Sequence, residues 1–282
     1  MQQSYRKERD NMRIIFIRHG TPDYTTDSLT PAGKREADAL ALRTARWTNI
    51  DQIFLSPLGR AQETAQPTLQ ILKREASTKD WLREFPPQIE DPSTGETHAA
   101  WDLMAEDFTA DPGYLDPDRW FSYGIYKDRP DVEKEAEKVC NGLDQILESY
   151  GYRWHKTPDS KSGRYFDFTD PTGHVNPAEA GDIMLHGTKN YEIRDCDDEK
   201  TILFFCHFGV TCVMLGHLLN ISPVILWHAT CIPPTGITVL NAEKRLHNTA
   251  SFRMQCLGDV SHLHAMNLPV SGYAAFSPVF QG

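Results

Sequence analysis

From Thr201 to Ala242 the chain carries no Asp, Glu, Lys or Arg, well beyond the roughly 20 apolar residues that a membrane-spanning helix needs. A stretch that long without charge must be buried in lipid or in protein, and the choice dictates the fold. The punctuation favours protein: His207, Gly209, His217, Asn220, Pro223, His228, Pro233, Pro234 and Gly236 break the stretch into short pieces, and TILFFC at Thr201–Cys206 is rich in strand formers. It reads as a buried strand, a helix over Gly209–Leu219 and a strand over Gly236–Leu240, a unit covered on both faces in an α/β protein.

The upstream half repeats that alternation. Met12–Ile17 (MRIIFI) predicts a buried strand. Thr30-Pro31 supplies an N-cap and a first-turn proline for a helix through AGKREADALALRTARW. Asp51–Leu55 predicts a second strand, Ser56-Pro57 breaks it, and Ala61, Ala65, Leu69 and Leu72 form the apolar stripe of a helix over Leu58–Leu72. Val132, Ala136, Val139, Leu143, Ile146 and Leu147 mark a strongly amphipathic helix. The expectation is a three-layer α/β/α sandwich with a mainly parallel sheet, its site at the carboxyl ends of the strands. One domain over 12–282 accounts for the pattern. Insertions at about 85–130 and 151–199 cover the site edge, and the first eleven residues are a disordered extension or the product of an upstream start.

Hydrophobic residues make up 40% of the 282, enough to build a core. The formal charge of −10 argues against nucleic acid or an anionic membrane as partner. Six cysteines without a C-x-x-C pair read as free thiols, and the polar N-terminus has no signal-peptide core. The address expected is cytoplasmic.

Three strand ends carry the reactive groups. Arg18-His19-Gly20 closes the first strand; Ser56-Pro57-Leu58-Gly59-Arg60 closes the second, with Arg60 in the first turn of a helix; Cys206-His207-Phe208-Gly209 closes the third, at another helix start. Each alone has a plain structural explanation. Together they describe a pocket for a dianionic phosphoryl group, met by guanidinium groups, imidazoles and backbone N–H groups.

RHGTPDY, LTPAGKREADAL, SPLGRAQETA, WLREF and CHFGV resemble, in order, the successive motifs of the histidine phosphatase superfamily, the phosphoglycerate-mutase-like proteins, and GDVSHL at Gly258–Leu263 is similar to the ending of many bacterial members. The resemblance implies that His19, unprotonated, attacks phosphorus and carries a phosphohistidine. It implies that Arg18, Arg60 and His207 bind the equatorial oxygens, with Phe208 beside them, and that no cofactor or metal is required. It places the proton donor at Glu84, with a carboxyl pKa raised by apolar neighbours such as Trp81 and Phe85; Glu90 and Glu96 are the alternative acids.

Departures from the family pattern narrow the activity. Many members read R-H-G-E-T with an Asn six positions beyond the histidine; this chain has Thr21, Pro22 and, at the Asn position, Thr25, so Thr25 or Ser28 is expected to contribute a hydroxyl to the substrate. The departure, and the lack of clustered arginines after Glu84, disfavour a mutase, and the acid-phosphatase and phytase pattern is missing at Thr21-Pro22-Asp23 and His207-Phe208. The reading is therefore the phosphatase branch, a small-molecule phosphomonoester hydrolase. A mutase-like phosphotransferase and a non-catalytic phosphate-binding regulator are the alternatives.

Between Trp101 and Asp131 eight acids face three bases, interleaved with Trp101, Phe108, Tyr114, Trp120, Phe121, Tyr123 and Tyr126. Such a cover favours a leaving group that is neutral, cationic or partly apolar, unless the segment is an ordinary aromatic mini-core. Exposed, the seven aromatics would support a homodimer. His207, Cys212, His228 and Cys231 offer a weak zinc pattern, and His155, His174, His186, His262 and His264 suggest no chemistry.

Overall fold

In a computed structural model, residues 12–91, 94–154, 191–193, 200–246, 249–273, 275 and 278–281 are described. The apolar run after Met12 forms strand β1 (Arg13–Arg18), buried at every position after Arg13. Thr30 caps helix α1 (Pro31–Thr44), its side chain accepting from Gly33 N–H, with Pro31 in the first turn, where a missing N–H costs nothing. Strand β2 (Ile50–Leu55), helix α2 (Gly59–Leu72) and the short strand β3 (Ser77–Thr78) follow. The segment after Glu84 contains a small hairpin (Gln88–Glu90 with Thr97–Ala99), helix α3 (Ala105–Ala110) and three single 3₁₀ turns. It leads into the amphipathic helix α4 (Pro130–Ser149). Strands β4 (Tyr152–Trp154) and β5 (Tyr191–Ile193) precede β6 (Thr201–Cys206), helices α5 (Phe208–Leu219) and α6 (Pro223–Ala229), strands β7 (Ile237–Leu246) and β8 (Thr249–Asp259), and helix α7 (Ser261–Ala265).

The eight strands form one sheet in the order β3-β2-β6-β1-β7-β8-β5-β4. From β3 to β1 the pairing is parallel; from β1 outward through β7, β8, β5 and β4 it is antiparallel. Alternation within the strands builds two cores. Ile14, Phe16, Ile202, Phe204 and Phe54 pack with Val139, Leu143, Val213 and Leu215 of α4 and α5. Ile15, Ile17, Leu203, Phe205 and Leu55 pack with Leu40 and Ala65 of α1 and α2. The result is the expected α/β fold, a sheet between two helical layers. The uncharged stretch is spent on β6, α5, α6 and the start of β7, and among the described residues no helix is long and apolar enough to cross a membrane.

Three expectations change. Tyr152–Trp154 and Tyr191–Ile193, assigned from sequence to an insertion outside the alternation, extend the sheet at its far edge; the rest of that insertion, like the first eleven residues, lies outside the described residues. Strand β8 was not anticipated, because its apolar positions are mixed with Arg253 and Gln255 at the surface. The third change concerns the seven aromatics between Trp101 and Tyr126. None is exposed: Tyr114, Trp120 and Tyr126 are fully buried in the core under α6, and the other four pack against it. They form a mini-core, which removes the basis for a dimer through them.

Candidate active site

Parallel register brings the three strand ends side by side. Arg18 of β1 lies opposite Cys206 of β6, and Phe205 opposite Leu55 of β2. The chain then continues in step: His19 N–H donates to the Cys206 carbonyl (3.0 Å) and Ser56 N–H to the Phe205 carbonyl (2.9 Å). His19, His207 and Ser56 thus form one row across the carboxyl edge of the sheet. The two imidazole centroids are 5.0 Å apart, and Ser56 Oγ lies 2.7 Å from His207 Nε2.

His19 is buried and lies against its own turn, Nδ1 being 2.7 Å from the Gly20 carbonyl. A carbonyl only accepts, so the ring hydrogen sits on Nδ1 and Nε2 keeps its lone pair. Burial, then the charges of Arg18 and Arg60, hold the pKa of His19 well below the usual imidazole range, so the ring is neutral at neutral pH. His207 is depressed in the same direction by burial and by His19, Arg60 and Arg18.

Both guanidinium groups are anchored while keeping donors in reserve. Arg18 Nη1 donates to the Ile232 carbonyl (2.6 Å) and its guanidinium lies 5.7 Å from the centre of the Phe208 ring. Arg60 Nη1 pairs with Asp27 Oδ1 (2.5 Å), and its guanidinium lies 5.0 Å from the centre of the Tyr24 ring. Arg18 Nε, Arg60 Nε and His207 Nδ1 are buried without a hydrogen-bond partner. Buried polar groups are rarely left unpaired, and these three nitrogens, two of them guanidinium donors, belong to one cluster around His19, which suits the oxygens of a tetrahedral anion.

Glu84 joins them from the start of the insertion. Its Oε1 accepts from Phe85 N–H (2.9 Å) and from Val210 N–H (3.2 Å) in the first turn of α5. Burial raises its pKa, against the opposing pull of the Phe85 N–H and the Arg18 charge. Gly209 makes room: a Cβ there would stand 2.7 Å from Glu84 Oε1 and 2.5 Å from Trp101 Cδ1. Trp101 also meets the Phe208 ring edge-on at 5.9 Å, so the insertion does reach the site.

Other candidates fall away. Thr25 is exposed and its hydroxyl is committed to Asp23 Oδ1 (2.5 Å), while Ser28 Oγ pairs with Thr26 Oγ1, so neither joins the buried cluster. Glu90 and Glu96 are exposed on the hairpin. The zinc pattern does not assemble: His207 is engaged with Ser56, His228 with Val224 and Leu103, and Cys231 is exposed. Among the described residues no three His, Cys, Asp or Glu side chains form a metal-sized group.

Two residues escaped the sequence reading. Asp27, with φ +49, accepts from Gly59 N–H at the start of α2 (2.7 Å) while holding Arg60. An acid beside an arginine and a helix start is a recognisable signal, but only when the loop is known to fold back. His262, set aside from sequence, is buried and hydrogen-bonded to Thr235; the GDVSHL resemblance was the available clue.

Residues 14–145 match the family model of the histidine phosphatase superfamily (branch 1). The matched stretch, which carries Arg18, His19, Arg60 and Glu84, ties this part of the chain to the histidine phosphatase superfamily. Among solved structures the chain is similar to the phosphoserine phosphatase of Entamoeba histolytica, crystallised with phosphoserine, at 18% identity over 89% of this chain and 99% of the other, with a TM-score of 0.52. A mycobacterial glucosyl-3-phosphoglycerate phosphatase aligns at 16% identity over 88% and 99%, with a TM-score of 0.50. At these identities the likeness establishes the fold. No curated protein matches the chain.

Proposed function

We propose that the protein is a metal-independent phosphomonoesterase that hydrolyses a small phosphorylated metabolite through a phosphohistidine on His19. The observation that carries this reading is the neutral His19 ring, with Nδ1–H given to Gly20 and Nε2 free, set among the buried unpartnered nitrogens of Arg18, Arg60 and His207. In the first half-reaction the Nε2 lone pair forms a bond to phosphorus, the ester P–O bond breaks in line, and the Glu84 carboxyl gives its proton to the leaving oxygen. In the second, the Glu84 carboxylate takes a proton from water, the resulting hydroxide attacks phosphorus, and the P–N bond breaks to restore neutral His19. Arg18, Arg60 and His207 stabilise the charge on the equatorial oxygens in both steps. A raised pKa suits a carboxyl that must donate and then accept near neutrality.

The charges that depress His19 are those of Arg18 and Arg60, a pair suited to holding one phosphoryl group. Trp101, Phe208 and Tyr24 border the cluster and suit a leaving group with an apolar or neutral face. The two structural neighbours are named for small phosphorylated metabolites, which agrees with a small-molecule substrate.

The test is phosphate release from a generic aryl phosphate, with and without EDTA, beside His19→Ala. Release that survives chelation and falls at least about a thousandfold in the variant is expected. Activity abolished by EDTA, or retained in His19→Ala, overturns the reading.

A further inference from the structure

Behind His19 runs the turn 232–236, whose backbone groups grip both residues of the Arg18-His19 pair. The Gly236 carbonyl accepts from Arg18 N–H (3.2 Å), the Ile232 carbonyl from Arg18 Nη1 (2.6 Å), and Thr235 N–H donates to the His19 carbonyl (3.2 Å). Thr235 is fully buried with φ +57. That is left-handed backbone, strained for a β-branched residue and natural for glycine. The residue present is therefore one that this backbone disfavours, and its hydroxyl is what it offers in exchange.

That hydroxyl is doubly engaged. It donates to the Pro234 carbonyl (2.7 Å) and lies 2.9 Å from His262 Nε2. With its own hydrogen given to Pro234, it accepts from Nε2–H. His262 sits on α7 with 3% exposure, in the GDVSHL segment, and burial together with Arg43 pushes its pKa down to about 4, so the ring is neutral.

We infer that Thr235 and His262 are positioning residues for the reaction: the His262–Thr235 hydrogen bond fixes the turn that sets the backbone of Arg18 and His19, and so aims the nucleophile. The inference rests on His19 being that nucleophile. Backbone strain is held next to the reacting group, where a small misplacement costs a large factor in rate.

Thr235→Gly separates positioning from mere packing, because glycine relieves the strained φ while removing the hydroxyl. The expected result is a kcat lower by about ten- to a hundredfold, KM within about twofold and an unfolding temperature unchanged or raised. Thr235→Ser, which keeps the hydroxyl, should stay close to the wild type. His262→Phe should lower kcat as Thr235→Gly does, and His262→Gln, whose amide can donate to the same oxygen, should recover part of the loss. A wild-type kcat in Thr235→Gly overturns the inference. So does a loss that tracks the unfolding temperature and is not rescued by serine. Orthovanadate, which takes five-coordinate geometry on a ring nitrogen, gives a readout independent of turnover. Its affinity should fall in Thr235→Gly by the same factor as kcat, and unchanged affinity counts against positioning. A wild-type protein that neither hydrolyses aryl phosphate nor binds vanadate removes the His19 reading and this inference with it, whereas failure of Thr235→Gly alone leaves that reading standing.

Discussion

The strand-end row and the insertion that closes over it are held by different kinds of bond. His19, His207 and Ser56 are placed by the register of parallel strands, through backbone hydrogen bonds that any apolar strand sequence would make. The insertion is held by side chains: Tyr126 donates to the Ala100 carbonyl, Tyr114 Oη accepts from Ile125 N–H, Trp120 packs edge-on against Trp227, and His228 Nε2 accepts from Leu103 N–H. A backbone-placed row is insensitive to most substitutions and suits chemistry that does not change. A side-chain-placed cover can be remodelled residue by residue, which suits the choice of substrate.

Glu84 stands at the junction, so altering it should give the largest effect. Glu84→Gln is expected to lower kcat by about a hundred- to ten-thousandfold on alkyl phosphates and far less on an aryl phosphate whose leaving group needs no proton. In the proposed first step Glu84 is protonated, so kcat/KM should fall as pH rises through its raised pKa, and the glutamine variant should lack that limb. Equal losses on both substrates would deny Glu84 its role as acid.

Trp101→Ala probes the cover. It should raise KM by about tenfold, the worth of one apolar contact at roughly 1–3 kcal/mol, with kcat nearly unchanged. A kcat effect as large as that of Glu84→Gln would dissolve the distinction between the two regions.

The smallest effect concerns the latch of the insertion. His228 donates from Nδ1 to the Val224 carbonyl and accepts at Nε2 from Leu103, so only the neutral ring fits. Burial lowers its pKa despite Val224 and Asp102, which raise it. A depressed histidine contributes stability that is present above the ordinary value of about 6.5 and lost as pH falls through the folded value. Losing one such bond costs about 1 kcal/mol. Amide hydrogen exchange at Leu103 should therefore quicken by about fivefold, after correction for intrinsic rates, between pH 7.5 and 5.5. Exchange independent of pH would place the hold elsewhere.

The central strands, α1, α2, α4 and the three reactive strand ends were legible because short-range patterns dictate them: unbroken apolar runs, a Thr-Pro start and a 3.6-residue stripe. The direction of β7, the existence of β8 and the edge strands β4 and β5 were not, since they depend on partners distant in sequence. Glu84 was legible through resemblance, and its desolvation depends on Trp101 and α5, which no local pattern joins to it. For Thr25, spacing alone cannot show that Asp23, two residues away, takes its hydroxyl. His262 was dismissed for its position near the end of the chain, although the fold carries that end behind His19.

The buried nitrogens around His19 also bear on thermal stability. Arg18 Nε and Arg60 Nε are donors that no protein group satisfies, and His207 Nδ1 is a third buried nitrogen without a protein partner, so this pocket gains from an anion that supplies those partners. An anion that satisfies those donors couples its binding energy to folding, contributing about 2.7 kcal/mol at a hundred times its dissociation constant. A rise in unfolding temperature on titration with inorganic phosphate or vanadate would report occupancy of this pocket even for a substrate that has yet to be found.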